Sequence, residues 1–301
     1  MAYCVDHIPK NVGYTQLRIR GHSGTGPAGD GESVDGDARN GGLSRGLELL
    51  WGLRERPRKG PKPGLSLERV VAGAIEVAEA EGLAAVSMSR VAEQVGYTTM
   101  SLYRYVGGKD ELLVLMLDAA IGPPPAAIAE AGGWRARLER WSWAQLAVYR
   151  RHPWIVQIPI TGLPVSPNQL AWLEAGLSAF AEVRLSPAEK LALVNLCHGF
   201  IRHEAQFSGD IRRERDKAGV SEAEALAEYG RVLARLTDPE RYPTLHEMAV
   251  SGAFEAPEIA GADAAAEGGE VGPETEPDFD FGLRRVLDGI EAYVRSRCGR
   301  D

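Results

Sequence analysis

The sequence predicts an all-α protein in two parts, a small helix-turn-helix head followed by a larger helical body, and three observations predict it. From residue 66 onward, segment after segment carries apolar residues at three- and four-residue spacing. These segments are stopped by glycine or proline, at Gly82, Gly96, Gly122-Pro123-Pro124-Pro125 and Pro153. Among them Ser87–Val106, SMSRVAEQVGYTTMSLYRYV, has the pattern of two short helices meeting at a tight turn. A length of 301 residues is a prior for two domains.

Residues 1 to about 46 are rich in Gly, Ser, Asp and Asn with few apolar anchors, so they cannot bury enough surface to offset the entropy of ordering. They are expected to be disordered, or to reflect an upstream translation start. LELLWGLRER at 47–56 can form a short helix anchored by Trp51, which completes an N-terminal extension of residues 1–56. The head is placed at 57–125. It opens with PRKGPKPG, where prolines and glycines forbid a helix, and where Arg58, Lys59 and Lys62 suit either an arm along the DNA backbone or minor groove, or a solvated linker. Ser66–Glu81 then carries Val70, Val71, Ala74, Ile75 and Ala78 on one helical face.

In the helix-turn-helix stretch, Ser87 is the N-cap and Val91, Ala92 and Val95 form the buried face. Gly96 can adopt a positive φ and end the helix, and Thr98 can cap the next. Burying Leu102 and Val106 on that second helix turns Met100, Tyr103 and Arg104 outward, with Thr99 at the exposed N-terminal end. In helix-turn-helix proteins that end meets base edges, although any small helical hairpin has the same pattern. Residues 107–122 form one more helix, with Asp110 and Glu111 in its first turn.

The body is placed at 131–298. Trp134–Arg151 has one stripe through Trp134, Leu138, Trp141, Gln145 and Val148 and another through Trp143, Leu146 and Tyr149, so it is buried on two sides. A proline-broken apolar connector follows, then a helix at 168–183 through Leu170, Leu173, Leu177 and Phe180. Ser186, Pro187 and Glu189 make the start of a long helix with a capping box. Its stripes, Leu191, Val194, His198 and Ile201 against Leu193, Leu196, Phe200, His203 and Phe207, imply neighbours on both sides. Charge dominates from Ile211 to Tyr229, which predicts a solvated helical excursion, and Pro243–Phe254 predicts a short helix. Between Ser251 and Leu283 there are nine acidic residues and no Lys or Arg, so 255–278 is expected to be a mobile linker. The last helix, FDFGLRRVLDGIEAYVRSR, must dock through Leu283, Val286, Leu287, Ile290 and Val294.

The run GLAAVSMSRVAEQVGYTTMSLYRYVGGKDELL resembles the DNA-binding domain of the TetR family of bacterial regulators, over residues 64 to 122 without a gap. The resemblance implies that Lys109, Tyr103 and Tyr105 touch DNA phosphates or bases. It also implies a basic or hydroxyl contact near Ser89, where Ser89 and Arg90 supply both types and leave the choice open. After residue 130, YRRHPWIV, LCHGFIRHEAQ and FDFGLRRVLDGIEAYV resemble the family's ligand-binding and dimerisation domain in the subgroup nearest the tetracycline repressor. That implies a homodimer held by a four-helix bundle of the long helix and the last helix from each subunit.

A net charge of −8 and a pI near 5.4 argue against a generally basic nucleic-acid coat but leave room for a local reading head. Cys4, Cys197 and Cys298 have no CxxC spacing, no apolar run approaches a membrane span, and the first thirty residues lack a signal-peptide core, so a cytoplasmic protein without membrane contact is expected. There is no HExxH, GxSxG, Walker or GxGxxG context, and His198 and His203 are five apart, off one face; neither an enzyme nor a metal site nor a cofactor is expected. Trp141, Trp143, Tyr149, Trp154, Trp172, Asn195 and His198 can line an apolar effector pocket with a few polar fixtures, or can be ordinary aromatic core. The expectation is a ligand-responsive repressor that binds a palindromic double-stranded operator as a homodimer and is released by a small apolar effector. The alternative is a dimeric DNA-binding regulator with no effector pocket, which a cavity in the body would discriminate.

Overall fold

A computed structural model describes residues 43, 45–53, 64–160, 164–254, 272 and 276–298. The expectations for the extension through residue 42, for Arg58, Lys59 and Lys62, and for 255–271 of the acidic linker lie outside these residues. Among the described residues the secondary structure is entirely helical. No described helix is long and apolar enough to cross a membrane.

The short helix α1 spans Arg45–Leu50, beginning two residues before the expected Leu47 and ending six residues before the expected limit. Trp51 follows it, two-fifths exposed, anchored by its indole N–H on the Val165 carbonyl at 2.9 Å. In the head, α2 (Leu67–Glu81) starts at Ser66, whose hydroxyl accepts the Arg69 N–H. Helix α3 (Met88–Val95) is capped by Ser87, which accepts the Arg90 N–H at 3.1 Å. It ends at Gly96, with φ +78, a region that costs an L side chain about 1–2 kcal/mol. Thr98 caps α4 (Thr99–Leu102) by accepting from the Ser101 N–H. Regular helix stops there rather than at Val106, because the Tyr105 N–H bonds three residues back to the Leu102 carbonyl and tightens the last turn. Leu102 and Val106 are nonetheless fully buried, with Val70, Ala74, Val91 and Val86.

Helix α5 (Lys109–Ile121) closes the head, and Leu112, Leu115 and Met116 are its fully buried residues. A short α6 (Ala127–Glu130) leads to the body: α7 (Gly133–Arg151), α8 (Pro167–Ser178) and α9 (Pro187–Ala218). Helix α8 stops five residues before the expected 183, since the amides of Phe180, Ala181 and Val183 bond three residues back as successive turns. Helix α9 has the expected capping box of Ser186 and Glu189 and runs 32 residues, about 48 Å. It absorbs residues 211–218, which the charge run had assigned to a separate excursion. The rest of that run enters α10 (Glu222–Leu236), which packs on α11 (Pro243–Val250).

Helix α12 (Pro277–Cys298) docks against α7 and α9 through Phe279, Leu283, Leu287, Ile290 and Val294. Arg150 fixes its start, binding both carboxylate oxygens of Glu276 at 2.5 Å and Ser208 at 2.9 Å. Helices α8 and α9 cross closely at Gly176, where a Cβ would meet Val194 at 3.0 Å and the Trp141 ring at 3.2 Å. Glycine there brings the two backbones together.

Candidate DNA interface and effector cavity

The outer face of the head is built from the turn and α4. Met100 is 75% exposed and Tyr103 46%, and Ser89, Thr98, Arg104 and Lys109 are exposed with them, while Thr99 is half-buried. Two candidate contacts are engaged inside the head. Arg90 donates to Glu81 at 2.6 and 3.0 Å and to Gln94 at 3.2 Å, with Glu93 at 3.7 Å, so its charge is spent holding α3 to the end of α2. Ser89 is the more accessible of that pair, its hydroxyl 3.2 Å from that of Ser87. Tyr105 is half-buried and its hydroxyl donates to the Leu65 carbonyl at 3.0 Å, which ties the end of the turn to the approach of α2.

Beneath the head, α5, α7, α8 and α9 enclose a cavity of about 910 Å³. Its walls include Trp141, Tyr149, Trp172, Asn195 and His198, five of the seven residues singled out in the sequence. The other two point elsewhere. Trp143 lies edge-on to Phe279 at 4.8 Å and packs the body against α12, and Trp154 is buried beside His152. Trp141 and Trp143 are two positions apart on a helix, some 200° around it, so they cannot share one cavity.

Four polar side chains form a linked group on the wall. Gln145 Oε1 sits 2.9 Å from His198 Nδ1, and burial together with the Arg202 charge pushes the His198 pKa down, which keeps the ring neutral. Burial pushes the Tyr149 phenol up to about 12 against the opposing pull of Arg202. Arg202 itself is held by its Nη2, which donates to the Val156 carbonyl at 2.8 Å and the Ile158 carbonyl at 2.7 Å. Arg202 was missed in the sequence, yet it lies four residues after His198 and seven after Asn195, a spacing that puts all three on one helical face. Also missed was the contribution of α5, whose Leu113, Val114, Leu117 and Ile121 form one wall.

The C-terminal end of α5 is clamped to α8. The Asp118 carboxylate, 3% exposed, accepts the Asn168 backbone N–H at 2.8 Å and its side-chain amide at 3.1 Å, and that amide also donates to the Asp118 carbonyl at 2.9 Å. The Trp172 indole donates to the Gly122 carbonyl at 2.9 Å. One rigid element thus runs from Lys109 at the head surface, along the cavity, to a fixed point on the body.

Residues 70–116 match the model of the bacterial regulatory proteins of the tetR family, and residues 126–294 match the tetracyclin repressor-like C-terminal domain. The chain belongs to the TetR family. Its head is therefore a DNA-binding helix-turn-helix domain, and the protein is a transcriptional regulator. It is 36% identical over 278 residues to the HTH-type transcriptional repressor DrrR1 of Streptomyces coeruleorubidus, covering 92% of this chain and 94% of that protein. An HTH-type transcriptional regulator of Saccharopolyspora erythraea is 31% identical over 196 residues, 65% of this chain and 79% of that one. Among solved structures, the fold is shared with the TetR family protein ActR of Streptomyces coelicolor. Apo ActR superposes with a TM-score of 0.57 at 22% identity, covering 78% of this chain and 99% of that one. ActR in complex with actinorhodin gives 0.56 at 24% identity, with 76% and 98% covered.

Proposed function

We propose that this TetR-family regulator is a cytoplasmic repressor that binds a two-fold symmetric operator as a homodimer and is released when a small, largely apolar effector fills the cavity. The head is taken as 57–125 and the body as 131–298. The observation that carries the reading is the double duty of α5, which forms a cavity wall through Leu113, Val114 and Leu117 and carries Lys109 at the head surface. A ligand can shift a conformational equilibrium only by contacts that differ between its states, and a ligand touching α5 touches the element that sets the head's position. The cavity favours this reading over a regulator without an effector, since its volume lies at the upper end of ordinary ligand sites.

Dimerisation is supported by the outer stripe of α9, where Leu196 is 53% and Phe207 55% exposed, and by the exposed Phe281 of α12, which packs on α9. Apolar residues in a row on two adjacent helices suit a partner copy. DNA contacts are assigned to Thr98, Thr99, Met100, Tyr103, Arg104, Lys109 and Ser89. The test is affinity for DNA fragments retained by the purified protein, measured for the palindrome and for its half-site, with and without a ligand identified by thermal-shift screening. Tight binding to the palindrome, weak binding to the half-site and release by the ligand are expected. Equal affinity for the half-site would remove the dimer, and ligands that stabilise the fold yet leave operator affinity unaltered would favour the effector-free alternative.

A further inference from the structure

The polar group on the cavity wall carries a charge that the protein does not balance. Arg202 is half-buried, and its Nη2 is committed to the Val156 and Ile158 carbonyls, which fixes the plane of the guanidinium. Among the described residues no carboxylate pairs with it. Asp110, the acidic residue among the described lining residues, is exposed at the first turn of α5 and forms no ion pair with it. Its neighbours do not supply a negative charge either: Tyr149 stays a neutral phenol and His198 a neutral imidazole, with Nδ1 against Gln145. Buried charges are ordinarily paired, and a guanidinium is never discharged by losing a proton.

The donors left over converge on the same place. Beyond the two carbonyls Arg202 meets the Tyr149 hydroxyl, and among the described residues the amide N–H groups of buried Gln145, whose Oε1 faces His198, have no partner, so both side chains keep donors on the cavity wall. Apart from Asn195 and Gln169, the remaining wall is largely apolar. The Trp141 indole N–H is bonded to the Trp172 carbonyl and the Trp172 indole N–H to the Gly122 carbonyl, each at 2.9 Å, so both rings present only carbon to the cavity. Leu113, Leu117 and Val148 continue that surface.

We propose that the cavity selects an extended aromatic molecule bearing one ionised oxygen group, a carboxylate or phenolate, which docks on Arg202 and Gln145 while its carbon frame lies against Trp141 and Trp172. This rests on the effector reading above and specifies the chemistry of the effector. Planar oxyanions match the fork of a guanidinium, and such charge-assisted bonds are about twice as strong as neutral ones.

The test compares two probes of one frame, anthraquinone-2-carboxylate and the neutral 2-(hydroxymethyl)anthraquinone, titrated into the full chain with quenching of intrinsic tryptophan fluorescence as the signal. The acid is expected to bind about tenfold tighter or better than the neutral probe, the size of one charge-assisted contact. In Arg202→Gln the preference for the acid over the neutral probe should vanish, and in Arg202→Lys, which keeps the charge, part of it should return. The comparison on the unaltered chain stands even if a variant folds poorly. Equal binding of both probes, or a preference that survives Arg202→Gln, would overturn the assignment of an oxyanion site while leaving the cavity a ligand site. If neither probe binds, and neither weakens binding to the retained DNA, the oxyanion site and the effector reading both fall.

Discussion

Replacing Asp118 by Ala should separate the stability of the protein from its response to a ligand. The carboxylate is buried and accepts two hydrogen bonds from Asn168, at 2.8 and 3.1 Å, and their loss also leaves the Asn168 backbone N–H without its partner. Hydrogen bonds to a charged group are each worth about 1.5–3 kcal/mol net, but the two share one carboxylate, and removing it also relieves its burial cost, so they do not simply add. The expected loss is about 2–3 kcal/mol, read as a lower urea midpoint at unchanged slope. The third bond, from the Asn168 amide to the Asp118 backbone carbonyl, survives the substitution and holds the ends of α5 and α8 in loose register. Operator affinity without ligand should therefore change little. The fold-release by a thermal-shift ligand, typically about five- to 150-fold in such systems, should shrink, because the far end of α5 then follows the body less tightly, held by the Asn168 and Trp172 bonds to its backbone alone. Fluorescence anisotropy with labelled operator gives both quantities. A variant that loses the stability but keeps the full release would refute the reasoning, since the clamp at Asp118 would then play no part in transmission.

Three further outcomes are expected. Gly96→Ala should lower the melting temperature by the equivalent of about 1–2 kcal/mol, since φ is +78 and open space around the added Cβ leaves conformation as the cost; an unchanged melting temperature would contradict this. Glu189 has its pKa lowered to about 2, first by the Tyr293 hydroxyl, then by the Ser186 backbone and side chain and by Arg297. A depressed carboxylate contributes stability above its ordinary value of 4.5 and loses it as pH falls toward 2, so Glu189→Gln should lower the melting temperature at pH 7 by a margin that narrows below about pH 4.5, and a margin constant with pH would count against it. Lys109→Ala should weaken binding to every DNA sequence and reduce the salt slope by about 1, whereas Tyr103→Ala should also alter base preference, and identical effects of the two would contradict their roles.

The head was almost fully legible because its signals are local. Ser87 and Thr98 cap the helices that their positions announced, and Gly96 takes the positive φ that the turn requires. The same holds for Ser186 and Glu189 at the start of α9. What was not legible depends on which of two apolar faces meets which neighbour. Trp141 and Trp143 look alike in sequence, yet one walls the cavity and the other packs edge-on against Phe279, and only the docking of α12 decides between them. Arg202 was passed over because a lone arginine in a mixed helix reads as solvated, and the internal bond of Tyr105, assigned instead to DNA, was hidden because its partner, the Leu65 carbonyl, lies 40 residues away. The extent of α9 was understated for a related reason: a charged stretch continues a helix as readily as it forms a separate one, and Gly219 with φ +67 is the stop.

Helix α5 carries two adjoining sets of residues with different obligations. Leu112, Leu115 and Met116 are sealed in the hydrophobic core, while Leu113, Val114, Leu117 and Ile121 bound the cavity on the next positions around the same turns. Altering the second set to admit a new compound also disturbs how the helix lies on the first, so it changes basal gene silencing along with selectivity. Val148 on α7, Leu173 on α8 and Asn195 on α9 line the cavity without belonging to the head. A biosensor built on this scaffold should therefore be retuned at Val148, Leu173 and Asn195, where compound preference can drift through many rounds of selection, and α5 should be left as it is.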